Sequence, residues 1–166
     1  MSRSNECEFA NIVQNCYFLL MKKKILFLLP FFLILTSCAA TGPKFSTLDI
    51  ETTEIKENNA QIVVYRVGYL GNALKPIISI NGVPTGKCET GGVFIVNVNE
   101  GNHVVSAATE VENTISLEVY KNEKIYVNCE IGVGLLIGRP KLSVQPKSEA
   151  ENAIKELSFT GMFDVE

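Results

Sequence analysis

The sequence predicts an all-β domain: a single small antiparallel β-sandwich of about seven or eight strands, with one short helix admissible near its C-terminus. Three observations predict it. From Ala60 onward, apolar residues recur with period two. The runs are rich in Val, Ile and Thr, which suit a pleated, half-buried surface. Gly, Asn and Pro interrupt them at spacings of roughly ten residues, the rhythm of sandwiches and barrels.

The elements follow in order. Residues 61–67 (Gln-Ile-Val-Val-Tyr-Arg-Val) read as the first strand, with a loop over Gly68 to Ala73. Residues 76–80 form the second. Asn81-Gly82 then marks a tight hairpin, because both central residues of a type I′ turn need positive φ. A short strand spans 85–89, and Gly91-Gly92 turns the chain into a strand over 93–98. Glu100-Gly101-Asn102 turns it again into 103–109. In 114–119, Ile115, Leu117 and Val119 point inward while Ser116 and Glu118 point outward. In 124–131, Ile125, Val127, Cys129 and Ile131 share a face, and 141–145 closes the series. Ser148 and Glu151 have capping-box spacing. Ala150, Ile154 and Leu157 would then line one helical face, although Leu157-Ser158-Phe159 equally suits the start of a strand.

The N-terminal part has a different character. Lys22, Lys23 and Lys24 precede an apolar run from Ile25 to Leu35, the pattern of a secretory signal peptide. The run has about a dozen residues, short of the ~20 that span a bilayer. Pro30 would also kink a permanent span. Leu35-Thr36-Ser37-Cys38 resembles a lipobox, the processing signature of bacterial lipoproteins. That resemblance implies a diacylglycerol on the Cys38 thiol, cleavage before it, and acylation of the new amine. A thiol suits this chemistry because its thiolate is a good nucleophile. Several acyl chains hold a protein on a membrane where one does not. Ala39, in place of a retaining aspartate, implies export to the outer membrane, facing the periplasm.

The resulting organisation is an extension over 1–20 read as a misassigned start, a signal peptide over 21–37, lipidated Cys38 with a linker to 59, and a β-sandwich over 60–166. Thr41-Gly42-Pro43 and the polar stretch up to Asn59 read as a flexible tether. Phe45, Leu48, Ile50 and Ile55 are apolar enough for part of it to pack on the domain instead. Met21 is the expected start. Processing removes four basic and two acidic residues from a chain of formal charge −3, leaving about −5. An acidic domain with scattered lysines lacks the clustered basic face that nucleic acid requires. It also lacks a polybasic contact for anionic lipid.

Several motifs carry a family resemblance: Ala60 to Arg66, the Asn81-Gly82 hairpin with Gly86 after it, Glu100-Gly101-Asn102-His103, and the tract from Glu130 to Pro140. Together they resemble a bacterial lipoprotein family catalogued as domain of unknown function 2846, over Ala60 to Phe159. Members tend to carry Pro-Gly-x-His where this chain has Glu100 to His103, and a glycine in the turn that here reads Lys121 to Lys124. The resemblance implies a small β-sandwich and brings no activity with it.

Candidates for chemistry are few. His103 is the single histidine, which disfavours His-pair metal sites; its ring is expected to hydrogen-bond the neighbouring turn. No serine lies in a glycine-flanked nucleophile elbow. The tract Ile131 to Pro140 has Gly-x-Gly spacing without the Lys-Ser/Thr of a phosphate loop. It reads either as a glycine-bent connection packing Leu135, Leu136 and Ile137 inside, or as an exposed apolar loop contacting a partner through Leu135, Leu136, Ile137 and Arg139. Cys88 and Cys129 can pair in an oxidising envelope, or Cys129 can remain a free core cysteine. The expectation is a non-enzymatic envelope lipoprotein without a cofactor. It would be membrane-bound through Cys38, with a β domain that binds a protein, glycan or small ligand. An inhibitor or immunity-type protein capping a target's active site is the alternative.

Overall fold

The structure is a computed structural model that describes residues 39–49, 53–56, 58–134 and 137–165. The expected extension, the signal peptide, Cys38, and Leu135 and Leu136 of the glycine-rich tract lie outside the described residues.

Val63 and Val64 point to opposite faces of one strand, yet both are buried. Strand β1 (Ala60–Tyr65) therefore lies between two apolar layers. The chain continues through β2 (Ile77–Ile80), β3 (Val83–Lys87), β4 (Gly92–Val98), β5 (Gly101–Ala108), β6 (Glu112–Val119), β7 (Lys124–Gly132) and β8 (Arg139–Gln145). Helix α1 (Lys147–Ile154) and β9 (Ser158–Val165) complete it. One sheet has the order β8-β7-β1-β4-β9 and the other β3-β2-β5-β6. The predicted all-β sandwich is the observed fold, with nine strands among the described residues rather than seven or eight.

The four-stranded sheet is antiparallel throughout. The five-stranded sheet departs from the expected antiparallel arrangement and is mixed, because β1 runs parallel to β7 and β4 parallel to β9. Parallel pairs need long crossovers, and here the chain visits the second sheet between β1 and β7. Ile62, Val64, Phe94, Val96, Ile78, Ile80, Val105 and Val127 fill the space between the sheets. Full burial of such a side chain stabilises by about 1.5–3 kcal/mol. On the outer face of the mixed sheet a second core gathers Val63, Tyr65, Val93, Ile95 and Tyr126 beneath Ala150, Ile154 and Leu157. The helix thus covers the face that would otherwise leave β1 and β4 exposed.

Two local features differ from the sequence expectation. Helix α1 starts at Lys147 with Pro146 at its N-cap and no side-chain cap. Ser148 lies inside the first turn, so the Ser148–Glu151 capping box does not form. The segment read as a flexible tether, with packing on the domain as the other reading, is docked at several of its described residues. Ala40 N–H donates to the Thr90 carbonyl, Phe159 N–H to Pro43, and Phe45 N–H to Leu157. Gly42 lies so close to β9 that a Cβ there would meet the Phe159 carbonyl oxygen at 2.1 Å. Phe45 packs edge-on to Phe159. Further along, Lys124 Nζ donates to the Thr53 carbonyl and Gln61 Nε2 to that of Glu54. A disulfide joins Cys88 to Cys129 across the two sheets.

Candidate functional site

The registers collect the long loops at one end of the sandwich. Tyr65, ending β1, pairs with Val93, second residue of β4, and with Asn128 in the middle of β7, which runs on past the end of β1 to Gly132. Gly92 pairs with Ser158, the first residue of β9. In the other sheet, Ile77 at the start of β2 lies between Lys87 and Ala108, the last residues of β3 and β5. Residues 66–76, 88–91, 109–111, 133–134, 137–138 and the incoming segment at Ala40 therefore share this end. The hairpin at Asn81-Gly82 and the turns at 99–100 and 120–123 occupy the other.

Arg66 organises the loop-bearing end. Its guanidinium is almost fully buried, and every hydrogen bond it donates goes to a backbone carbonyl. Nε reaches Gly68; Nη1 reaches Leu74 at 2.8 Å and Cys88 at 3.1 Å; Nη2 reaches Leu70 at 2.6 Å and Gly71 at 3.1 Å. Burial pulls its pKa below the ordinary arginine value, while five carbonyl dipoles offset the cost of desolvating the charge. The loop after β1 is thereby wrapped around one side chain. Thr90 extends the network, linking Ala40 through its carbonyl and approaching Asn72 through its hydroxyl. Sequence reading placed Arg66 in a strand and missed this role. The available signal was a lone arginine ending an apolar run.

Two openings at the described residues lie near this end. The larger, about 460 Å³, runs along the seam where edge strands β3 and β9 face each other. Ile77, Pro84 and Phe163 give it an apolar wall; Thr85, Thr160, Lys87 and Glu89 give it polar groups, and Thr41 of the docked segment closes one side. Gly86 also lines it, and a Cβ there would meet the Phe94 ring at 2.7 Å. Phe94 in turn supports Phe163 edge-on. The second opening, about 410 Å³, lies among Leu74, Pro76, Ile77, Thr109 and Ile137.

The candidate contact residues separate. Ile137 is exposed and lines the smaller opening, while Gly138 beside it accepts from the Thr109 hydroxyl. Arg139 is exposed and begins β8 opposite Gly132. Leu135 and Leu136 fall outside the described residues. His103 sits at the far end. Its Nε2–H donates to the Asn99 carbonyl and its Nδ1 accepts from the Asn81 amide. The Asn81 orientation follows from its Oδ1, which accepts from Val104 N–H. Among the described residues, no group of three His, Cys, Asp or Glu side chains is arranged to hold a metal ion.

A polar cluster secures the second docked stretch to the outer face of the mixed sheet. Buried Gln61 donates to Asn97, Asn97 donates to Asp164, and Lys56 pairs with the same Asp164 oxygen at 2.8 Å. These two hydrogen bonds hold the Asp164 carboxyl below its ordinary pKa. Nearby, burial lowers the Lys124 ammonium; Glu151 opposes that shift and Lys147 adds to it. Burial, and then its hydrogen bond to Glu151, raise the Tyr126 phenol well above its ordinary value. Each of these groups has a structural partner in the fold.

Comparison with known proteins gives a distant similarity. The chain is 22% identical over 131 residues to an uncharacterized protein of Haemophilus influenzae, across 76% of this chain and 78% of that one. No family model matches the chain, and no solved structure matches it.

Proposed function

We propose that this protein is a lipid-anchored binding module of the cell envelope, akin to the lipoproteins of domain of unknown function 2846. In this reading Cys38 carries the lipid, the outer membrane holds the anchor, and the domain binds a ligand without transforming it. The observation that carries the binding role is the groove between β3 and β9. Its volume of about 460 Å³ falls within the range of small-molecule sites. An apolar wall of Ile77, Pro84 and Phe163 faces polar groups that can orient a ligand. That composition suits a ligand or partner segment with an apolar body and a polar edge.

In-cell photocrosslinking tests the reading. A photoreactive phenylalanine analogue replaces Ile77, which is more than half exposed and lines the groove. A recurrent adduct, identified by mass spectrometry and lost when Gly86→Val displaces the groove wall, supports the binding role. Recovery of uncrosslinked protein alone would count against it.

A further inference from the structure

The loop-bearing end is also the apolar end. Val67, Tyr69, Leu70, Val111, Val133 and Ile137 are exposed there, Tyr69 at 74%, Leu70 at 61% and Val133 at 88%. Each lies in a loop that the strand registers bring to this end. The opposite end carries Asn58, Asn81, Asn99, Glu100, Lys121, Asn122 and Glu123 in its turns, with Tyr120 as the exposed apolar side chain of its 120–123 turn. Other exposed apolar side chains include Val83, Val104, Tyr120 and Val144, of which Val83 and Tyr120 belong to the opposite end. Isolated exposed apolar residues are ordinary, whereas a grouped set marks a contact surface.

The position of the chain's entry identifies what covers that surface. Ala40 is hydrogen-bonded to Thr90, and Thr90 approaches Asn72 in the loop that bears Tyr69 and Leu70. Only Ala39 lies between Ala40 and Cys38, and two residue steps span at most about 7 Å. An acyl group on Cys38 would therefore emerge beside these loops, with no slack to carry the domain away. Arg66 adds a second reason. Two of its hydrogen bonds go to the carbonyls of Leu70 and Gly71, so the exposed Leu70 sits on a braced turn.

We propose that the loop-bearing end is a membrane-contact surface, laying Val67, Tyr69, Leu70, Val111, Val133 and Ile137 against the lipid that Cys38 enters. The proposal rests on the lipid anchor at Cys38 set out above. It gives the domain a fixed orientation, with the Asn81-Gly82 end pointing away from the bilayer and the β3–β9 groove running outward from it. The contact is apolar, so it resists high salt, unlike an electrostatic attachment to anionic lipid.

The chain has no tryptophan, so single-tryptophan variants report depth directly. Full-length protein carrying Leu70→Trp, Val133→Trp or Tyr120→Trp is purified from membranes. It is then reconstituted into phosphatidylethanolamine–phosphatidylglycerol vesicles with brominated acyl chains. The mass of the N-terminal peptide reports acylation independently. The proposal expects emission ~twofold or more lower for Leu70→Trp and Val133→Trp than in unbrominated vesicles, unchanged by 0.5 M salt, with Tyr120→Trp unaffected. Acylated protein in which all three emit alike, or in which Tyr120→Trp alone is quenched, would overturn the orientation and leave the anchor standing. A peptide without acyl mass would remove the anchor and this proposal with it. Two quenched positions on separate loops guard against a local effect of either substitution.

Discussion

The Ala40 amide donates to the Thr90 carbonyl at 2.9 Å, so the polypeptide is already part of the domain two residues past Cys38. Gly42, pressed against the Phe159 carbonyl, and Phe45, packed on the Phe159 ring, continue the attachment. Lys44 and Glu156 form an ion pair beside it. A stretch that composition alone makes look like a tether is a strap.

Gly42→Val tests the strap. The added Cβ has no room beside Phe159, so the segment must lift. The expected result is rapid proteolysis between Ala39 and Leu48 and a loss of about 1–2 kcal/mol in urea unfolding. Wild-type protein should resist cleavage there under the same conditions. Equal cleavage of both proteins would show that the segment is not held.

Arg66→Met should cost about 3 kcal/mol or more, because it leaves five carbonyls without their buried donor. Arg66→Lys should recover little of this, since an ammonium cannot match the planar fork of the guanidinium. Denaturant midpoints of the three proteins provide the check. A near-neutral Arg66→Lys would mean that charge, not fork geometry, braces the loop.

The Cys88–Cys129 disulfide closes a separation of 41 residues. Chain entropy assigns such a closure about 4 kcal/mol, with typical measured values of 2–4. Reduction should lower the unfolding midpoint accordingly. Alkylation of the denatured, unreduced protein should leave both thiols unlabelled, read as mass.

Asp164 sets a pH dependence. Its folded pKa lies below the ordinary carboxylate value because Lys56 and Asn97 hydrogen-bond the ionised form. A depressed acid contributes stability above its unfolded pKa and loses that contribution as pH falls through the folded one. The stability difference between wild type and Asp164→Asn should therefore be present at pH 7 and fade below about pH 4. It should be well under 1 kcal/mol and shrink in 0.5 M salt, because the pair is exposed. A difference that grows on acidification would reverse the assignment.

Much of the fold is legible where one face of a strand meets water. In β6, Leu117 and Val119 are buried, Ile115 packs on the core, and Ser116 and Glu118 are exposed, as alternation requires. The Asn81-Gly82 turn forms with positive φ at both residues. The outer core is less legible. The unbroken apolar runs of β1 and β4 signal burial on both faces, yet period two alone does not say that a helix supplies the second layer. Strand β9 hides behind a register shift between Val93 and Phe94, where the pairing skips Thr160. The shift sends Phe159 to the helix side and Phe163 to the inter-sheet core, which breaks the alternation a strand is recognised by. The Arg66 site is legible least, because its partners are backbone carbonyls of a loop whose shape no side-chain pattern encodes.

The most direct measurement is metabolic labelling of wild type and Cys38→Ser with an alkyne-bearing palmitate, followed by fractionation. Lipidation at Cys38 requires a labelled wild type in the membrane fraction, and an unlabelled Cys38→Ser that accumulates as the larger, uncleaved precursor. A Cys38→Ser variant that still takes the label and still fractionates with membranes would contradict it.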